Sequence, residues 1–466
     1  MRGFLTLAGG LFALFALTFA FPQPKQIYGV NLGSWYVLLL VEPWMLPDEW
    51  IAMGGQRCNR CQDCIMSEFD LTKANPDTAD QTFDKHWQTW FTKSDVQRLK
   101  ELGINTVRIP LGYWLVEPLV EEGEFYPKGG IYRLKEGLEW LSEAGVAVIL
   151  DHHALPGVAA ENQMFAGRCT SDVQFYTPEN YHRALIWTAV MTFFSHVDPD
   201  FGSVFSIQAV NEPLMDAGRT PGYGQFQKDF VETVRAVEDI LGIRSMPDYA
   251  SSGNITATLQ KAAEVGGYSD EVKSVLMDSA PVLFQMVLKY GGLEMLHGFL
   301  RPGKEPLTTN FMDMNWQWGD RSNPADAKDG PQTYDNHLYY SFGGVADPTP
   351  ESYLTHICNL DRIQRDAAVR NTPLWFGEWS ISTNFGASDE FLKKWADAQK
   401  LAYSKSAGWI FWNFKLEDSA SANGLQRQWS YYKGVELGYL TEDPAAYNDP
   451  NVCAGYVKAV WLVETT

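Results

Sequence analysis

The sequence predicts an α/β protein that closes its 466 residues into a (β/α)8 TIM barrel. Three observations point there. Short β-rich runs alternate with helical segments, the grammar of βαβ units and a parallel sheet. Eight such runs can be read along the chain. Polar residues recur at the ends of these runs, on the side where a barrel builds its sites. The composition agrees: 45% hydrophobic and 20% charged residues are ordinary for a globular chain, and barrels exceed the usual domain length as single units.

The first strand is read at residues 27–31. A helix follows over 92–103, with a Ser or Thr cap, apolar positions at Val96, Leu99 and Leu102, and Gly103 as its stop. It feeds a strand at 106–110 that ends on Pro110. The same order repeats as a helix at 134–145 and a strand at 146–151. Further strands are read at 204–211, 308–314, 334–339, 374–378 and 408–412, which makes eight. A doubly wound open sheet is the competing architecture, but no Gly-rich phosphate loop follows the first strand. Roughly a hundred residues separate Pro213 from Thr308, far beyond an ordinary loop. Region 214–307 is read as an insertion on the catalytic face or an elaborated outer helix of the same domain. Its later part is helical in pieces, around Leu276, Val282, Leu283, Val287 and Leu288.

Residues 1–20 carry Arg2, an apolar run over 4–19 and a small-residue site at Thr18-Phe19-Ala20, the pattern of a secretory signal peptide. The run falls short of the roughly 20 residues that span a bilayer, and 459–463 is too short for a lipid-anchor tail. The mature domain is then 21–466, secreted or in the cell wall, with no membrane partner. In an oxidising compartment the six cysteines are expected in disulfides. Cys58, Cys61 and Cys64 form a tight cluster, and any of them can staple a surface loop to a distant partner among Cys169, Cys358 and Cys453. No nearby histidine completes a zinc set, so no metal is expected. Asn254-Ile255-Thr256 is a glycosylation sequon. A net charge of −20 argues against nucleic acid or anionic lipid as partners, both of which need a basic face. The 17 Trp are first a packing fact and second a hint of sugar stacking.

The strand ends carry the chemistry. Val107-Arg108-Ile109-Pro110 ends the second strand, Asp151-His152-His153 the third, and Asn211-Glu212-Pro213 the fourth. His337 and Tyr339 sit on the sixth, Gly377-Glu378-Trp379 on the seventh and Trp412 on the eighth. Polar residues in buried parallel strands are costly unless paired, so their repetition at one end needs a reason. Glycoside hydrolysis supplies one, since it needs one protonated and one ionised carboxyl. Glu212 and Glu378 would face each other across the barrel mouth. Asn211 would donate to a sugar hydroxyl, Tyr339 and Arg108 would hold Glu378 ionised, and Trp412 would floor the site. Singly, each motif is weak: an Asn-Glu-Pro tripeptide is common, and Arg108, His153 or Trp412 alone suits a structural role. Jointly, in this order, they specify a site.

With those residues in hand, the sequence resembles glycoside hydrolase family 5 of the retaining Glu/Glu barrel clan, specifically its fungal β-glucanases. The matching runs are Gly29-Val30-Asn31-Leu32-Gly33-Ser34-Trp35 with Glu42-Pro43-Trp44, then 105–114, 149–157, 207–213, 335–342, 376–380 and 408–415, followed by Trp429-Ser430-Tyr431. The resemblance implies Glu212 as acid/base and Glu378 as nucleophile, with Arg108, His153, Asn211, His337, Tyr339 and Trp412 binding substrate around them. It implies retention, with carboxyls roughly 5 Å apart, no cofactor, and a monomer acting on β-glucan.

Ser67-Glu68-Phe69-Asp70, His86-Trp87 through Trp90, 126–130 and Lys393-Lys394-Trp395 are similar to the endo-β-1,6-glucanases, the preferred branch. An exo-β-1,3-glucanase is the alternative, and a non-catalytic glycan-binding barrel is a third reading that both glutamates disfavour. Two departures stand out. Ala154 and Leu155 replace the smaller Gly and Ala of relatives and are expected to reshape one subsite. The long stretch before Asn310 is expected to narrow or cap the cleft.

Overall fold

The computed structural model describes residues 22–35, 45–244, 254–291, 295, 304–312 and 323–457. The expected signal peptide and Glu42-Pro43-Trp44 lie outside them. Eight parallel strands close in sequence order, with β1 paired to both β2 and β8. They are β1 Ile27–Asn31, β2 Thr106–Gly112, β3 Ala147–Ala154 and β4 Val204–Gln208. The second half supplies β5 Thr308–Met312, β6 Gln332–His337, β7 Leu374–Glu378 and β8 Gly408–Phe411.

Local signals explain the boundaries. Thr92 and Asp95 form a reciprocal capping box before the helix Lys93–Glu101, satisfying backbone donors that no helical carbonyl reaches. Gly145, at φ 73°, ends the helix Gly130–Ala144 in the left-handed conformation that glycine adopts without penalty. β4 stops at Gln208, three residues before the expected end. Asn211 still donates its N–H to the His152 carbonyl at 3.3 Å, but Glu212 takes φ 40° and turns the chain off the ladder. Tyr339 and Trp412 likewise lie just past β6 and β8.

Inside the barrel, Ile27, Ala147, Ile149, Phe205, Trp375 and Ile410 form an apolar cluster near the strand starts, separate from the main core. The polar residues collect at the other end, so the barrel is plugged below and chemically equipped above.

The region after β4 adds a layer outside the barrel. The helix Pro178–Val197 is buried almost throughout its length, the mark of a helix covered on all sides. His152 of β3 stacks on its Trp187 at 3.9 Å. Its far side packs against the helix Asp270–Tyr290, which pairs with Ile255–Val265. Across this contact His182 sets Nδ1 2.8 Å from Glu271 and Nε2 3.0 Å from Asp278. Tyr132 and Lys135 reach the carbonyls of Lys289 and Tyr290 from the neighbouring barrel helix. These two helices therefore thicken the wall outside the helix Pro178–Val197.

Cys58 pairs with Cys64, Cys61 with Cys169 and Cys358 with Cys453. One cysteine of the cluster thus staples the loop after β3, while the other two close on each other. No helix among the described residues is long and apolar enough to cross a membrane.

Candidate active site

Arg108 of β2 organises the barrel mouth. It is fully buried, so its charge requires partners on every side. Its Nε donates to Gln208 at 2.9 Å, and its Nη1 to Asn31 at 3.0 Å and to Glu378 Oε1 at 2.9 Å. Nη2 donates to Asn211 at 2.8 Å and lies 3.0 Å from Asp151. Burial works against this charge, but Asp151, Glu378, Asp335 and Glu212 outweigh it and hold the guanidinium above its ordinary value. Asp151, also opposed by burial, is pulled below the carboxylate range by Arg108 and His153.

Glu378, closing β7, accepts from Arg108 through one oxygen and from the Tyr339 hydroxyl, 2.8 Å away, through the other. Glu212 approaches from β4. Its Oε1 lies 2.7 Å from His337 Nδ1, and the same nitrogen is 3.5 Å from Glu378 Oε2. Glu212, His337 and Glu378 each bring one donor or acceptor atom within 4.8 Å of the others, the one such group among the described residues that has the makings of a cation site. Those atoms are already engaged with Arg108, Tyr339 and one another, so the arrangement handles protons.

The three groups titrate as a unit. Burial alone would lower His337, but Glu378 and Asp335, with hydrogen bonds to Asp335 and Glu212, lift it to about 10. Burial raises Glu212, yet the hydrogen bond and charge of His337 bring it below its ordinary value. For Glu378 burial prevails: despite His337 and Arg108 the carboxyl sits above its ordinary value, with the Glu212 charge adding to the rise. His337 thus favours the ionised form of Glu212, and burial favours the protonated form of Glu378.

The remaining predicted residues complete the mouth. His153 sets Nδ1 2.5 Å from Asp151 and Nε2 3.2 Å from the Asn211 amide. Trp412 lies against it, ring centroids 6.2 Å apart and 22° from parallel. A side chain at Gly33 would come within 2.9 Å of the Trp412 indole, which explains a glycine there. All eight predicted site residues thus meet at one end of the barrel.

Sequence reasoning did not single out Asn31, Gln208 or Asp335 for the site, or Phe165, whose ring packs edge-on to His153 at 5.6 Å. It also passed over Phe342, 70% exposed, which stands with Trp429 beside Tyr339. One signal was available: Asp151/His153 and Asp335/His337 repeat an Asp-x-His spacing that puts both residues on the same strand face. Of the two departures noted above, the first places Ala154 and Leu155 in the main core, both buried.

A sequence model of the family described as Cellulase (glycosyl hydrolase family 5) matches residues 71–418. The chain belongs to glycosyl hydrolase family 5. It is 30% identical over 447 residues to a glucan endo-1,6-beta-glucosidase B of Emericella nidulans, covering 93% of this chain and 89% of that one. It is 32% identical over 447 residues to glucan 1,3-beta-glucosidase 2 of Wickerhamomyces anomalus, covering 92% and 91%. Among solved structures, a rutinosidase from Aspergillus niger aligns with a TM-score of 0.60 at 17% identity, covering 90% of this chain and 99% of that chain. That likeness speaks for the shared fold alone. As a family 5 member the protein is a glycoside hydrolase.

Proposed function

We propose that this family 5 hydrolase is a secreted endo-β-1,6-glucanase acting by double displacement, with Glu212 as acid/base and Glu378 as nucleophile. The observation that carries the reading is the pairing of these carboxyls: oxygens within 4.8 Å of each other, one carboxyl held by Arg108 and Tyr339, the other by His337. Separations near 5 Å suit a direct attack on the sugar and leave no room for an intervening water.

In the first step Glu212 protonates the glycosidic oxygen as its bond to C1 breaks, and a Glu378 oxygen bonds to C1. In the second, Glu212 takes a proton from water, the water oxygen bonds to C1 and the ester to Glu378 breaks. The chemistry needs Glu212 protonated and Glu378 ionised, the reverse of the directions in which His337 and burial push them. A glycosidic oxygen accepting from Glu212 favours its protonated form, and the donors on both Glu378 oxygens favour its ionised form. Asn211 and His153 would bind sugar hydroxyls, and Trp412 would stack on the ring at the cleavage point.

The runs at 67–70, 86–90, 126–130 and 393–395, and the relatives named endo-1,6-glucosidases, support the β-1,6 linkage. The yeast relative named a 1,3-glucosidase keeps exo-β-1,3 action as the second reading. Three disulfides support an oxidising, extracytoplasmic setting, with residues 1–20 as leader and 21–466 as one catalytic domain.

Purified protein should release oligosaccharides from pustulan (β-1,6) and little from laminarin (β-1,3); glucose from laminarin alone would move it to the exo-1,3 branch. Glu378→Ala should abolish turnover while leaving the thermal transition in place, and near-normal turnover would sink the nucleophile assignment.

A further inference from the structure

His337 can serve Glu212 only if its ring is fixed so that Nδ1 faces the carboxyls. Asp335, two residues earlier on β6 and fully buried, has the geometry to fix it. Its Oδ2 lies 3.4 Å from His337 Nε2, and its Oδ1 accepts the Gly377 backbone N–H at 2.7 Å. A side chain at Gly377 would begin 2.1 Å from that Oδ1, so β7 carries glycine where the carboxylate passes. The Gly377 carbonyl in turn accepts from Asn31 at 2.9 Å. The carboxylate is thus clamped from β7 before it meets the histidine.

The groups facing His337 come from three strand ends: Glu212 after β4, Asp335 of β6 and Glu378 of β7. Arg108 of β2 faces Asp335 at 3.9 Å, and Tyr339 occupies the Glu378 oxygen nearest Nδ1.

We propose that Asp335 is a positioning residue for the acid–base chemistry, acting through His337: by accepting Nε2–H it commits Nδ1–H to whichever carboxyl is gaining negative charge. The inference rests on Glu212 as acid/base. In the first step Glu212 becomes a carboxylate as the leaving oxygen takes its proton and Glu378 becomes an ester; Nδ1–H stabilises that new charge. In the second, water returns a proton to Glu212 and Glu378 leaves the sugar as a carboxylate, within reach of the same N–H. His337 keeps both protons throughout, in line with a ring protonated up to about 10.

Asp335→Asn tests this. The amide keeps an oxygen for the Gly377 N–H but presents an NH2 group, unable to accept, to Nε2–H. On β-1,6-gluco-oligosaccharides kcat should fall about 10- to 100-fold, by analogy with the loss of the carboxylate that orients a metal-bound histidine. The basic limb of the kcat/KM profile should move to lower pH, because an anion that holds protons in the cluster is gone. On a dinitrophenyl β-glycoside, whose departure needs no acid, the loss in the glycosylation step should shrink. An unmoved profile with equal losses on both substrates would reduce Asp335 to a structural residue and overturn the proposal.

Proton NMR of the unmodified enzyme gives a readout independent of Asp335→Asn: two downfield imidazole N–H resonances, assigned by their loss in His337→Gln, are expected at pH 7, and a single one would also overturn it. Glu212→Ala separates the two levels. If it lacks leaving-group dependence and azide rescue, the acid/base assignment falls; if it shows both while Asp335→Asn shows neither of its predicted effects, only this inference falls.

Discussion

Arg108 shows how one residue can couple folding to function. Its guanidinium meets Gln208, Asn31, Glu378, Asn211 and Asp151 at once, a set that only a planar fork can satisfy. Arg108→Met should cost about 3–5 kcal/mol of stability, since it leaves buried carboxylates without their cation; denaturant unfolding with an unchanged midpoint would contradict this. His152 works differently. It stacks on Trp187 outside the barrel, and neither ring nitrogen has a hydrogen-bond partner among the described residues. Burial lowers it to about 3. Below pH about 6.5 the unfolded chain takes up a proton that the folded ring refuses, so stability drains as pH falls toward 3, by about 1.4 kcal/mol per unit. His152→Phe keeps a stacked ring and removes the titration. Its melting temperature should gain on the parent's progressively from pH 7 to pH 4, whereas a constant difference would rule the mechanism out.

At the scale of elements, strand runs and strand ends were legible because burial forces them: β2 to β8 are buried throughout, so they read as short β-rich runs, and polar residues at one end must pair. β1 and β7 have the bounds expected from sequence, and all eight candidate residues converge. The end of β4 was not legible, because the φ 40° of Glu212 follows from tertiary contacts and no residue type announces it. Disulfide pairing was equally hidden, since spacing cannot say that Cys61 crosses to Cys169 while its neighbours close on each other. The placement of 255–290 depended on a helix, Pro178–Val197, whose all-round apolarity was the one clue that a further layer covers it. Gly377 belongs to this scale too, because its missing side chain lets β6 and β7 share Asp335. Gly377→Ala should drive a methyl into that carboxylate and lower kcat more than it raises KM, since the displaced group serves the chemistry and not the substrate. Kinetics matching the parent would show that the strands simply part.

For the whole molecule, the segment after residue 437 closes the chain back onto the outer helices. Lys400 donates to the Thr441 hydroxyl at 2.7 Å and the Ala446 carbonyl at 2.6 Å, Asp397 accepts the Asp449 N–H at 2.7 Å, and Asn359 reaches the Tyr456 carbonyl at 2.8 Å. Burial lowers Lys400 to about 8, so its ammonium is retained by partners in a site that resists charge. Cys358–Cys453 closes the same strap over a sequence separation of 95. A cross-link of that span removes enough freedom from the unfolded chain to be worth about 4 to 5 kcal/mol in the chain-entropy account. None of these contacts reaches the barrel mouth. Replacing both cysteines with serine should therefore lower the thermal midpoint by several degrees while leaving kcat at 25 °C near that of the parent, and protease nicking should begin in the 437–457 strap. Loss of activity at temperatures where the double variant remains folded would mean that the strap holds the catalytic end in shape, and the separation between stabilising wall and working mouth would have to be given up.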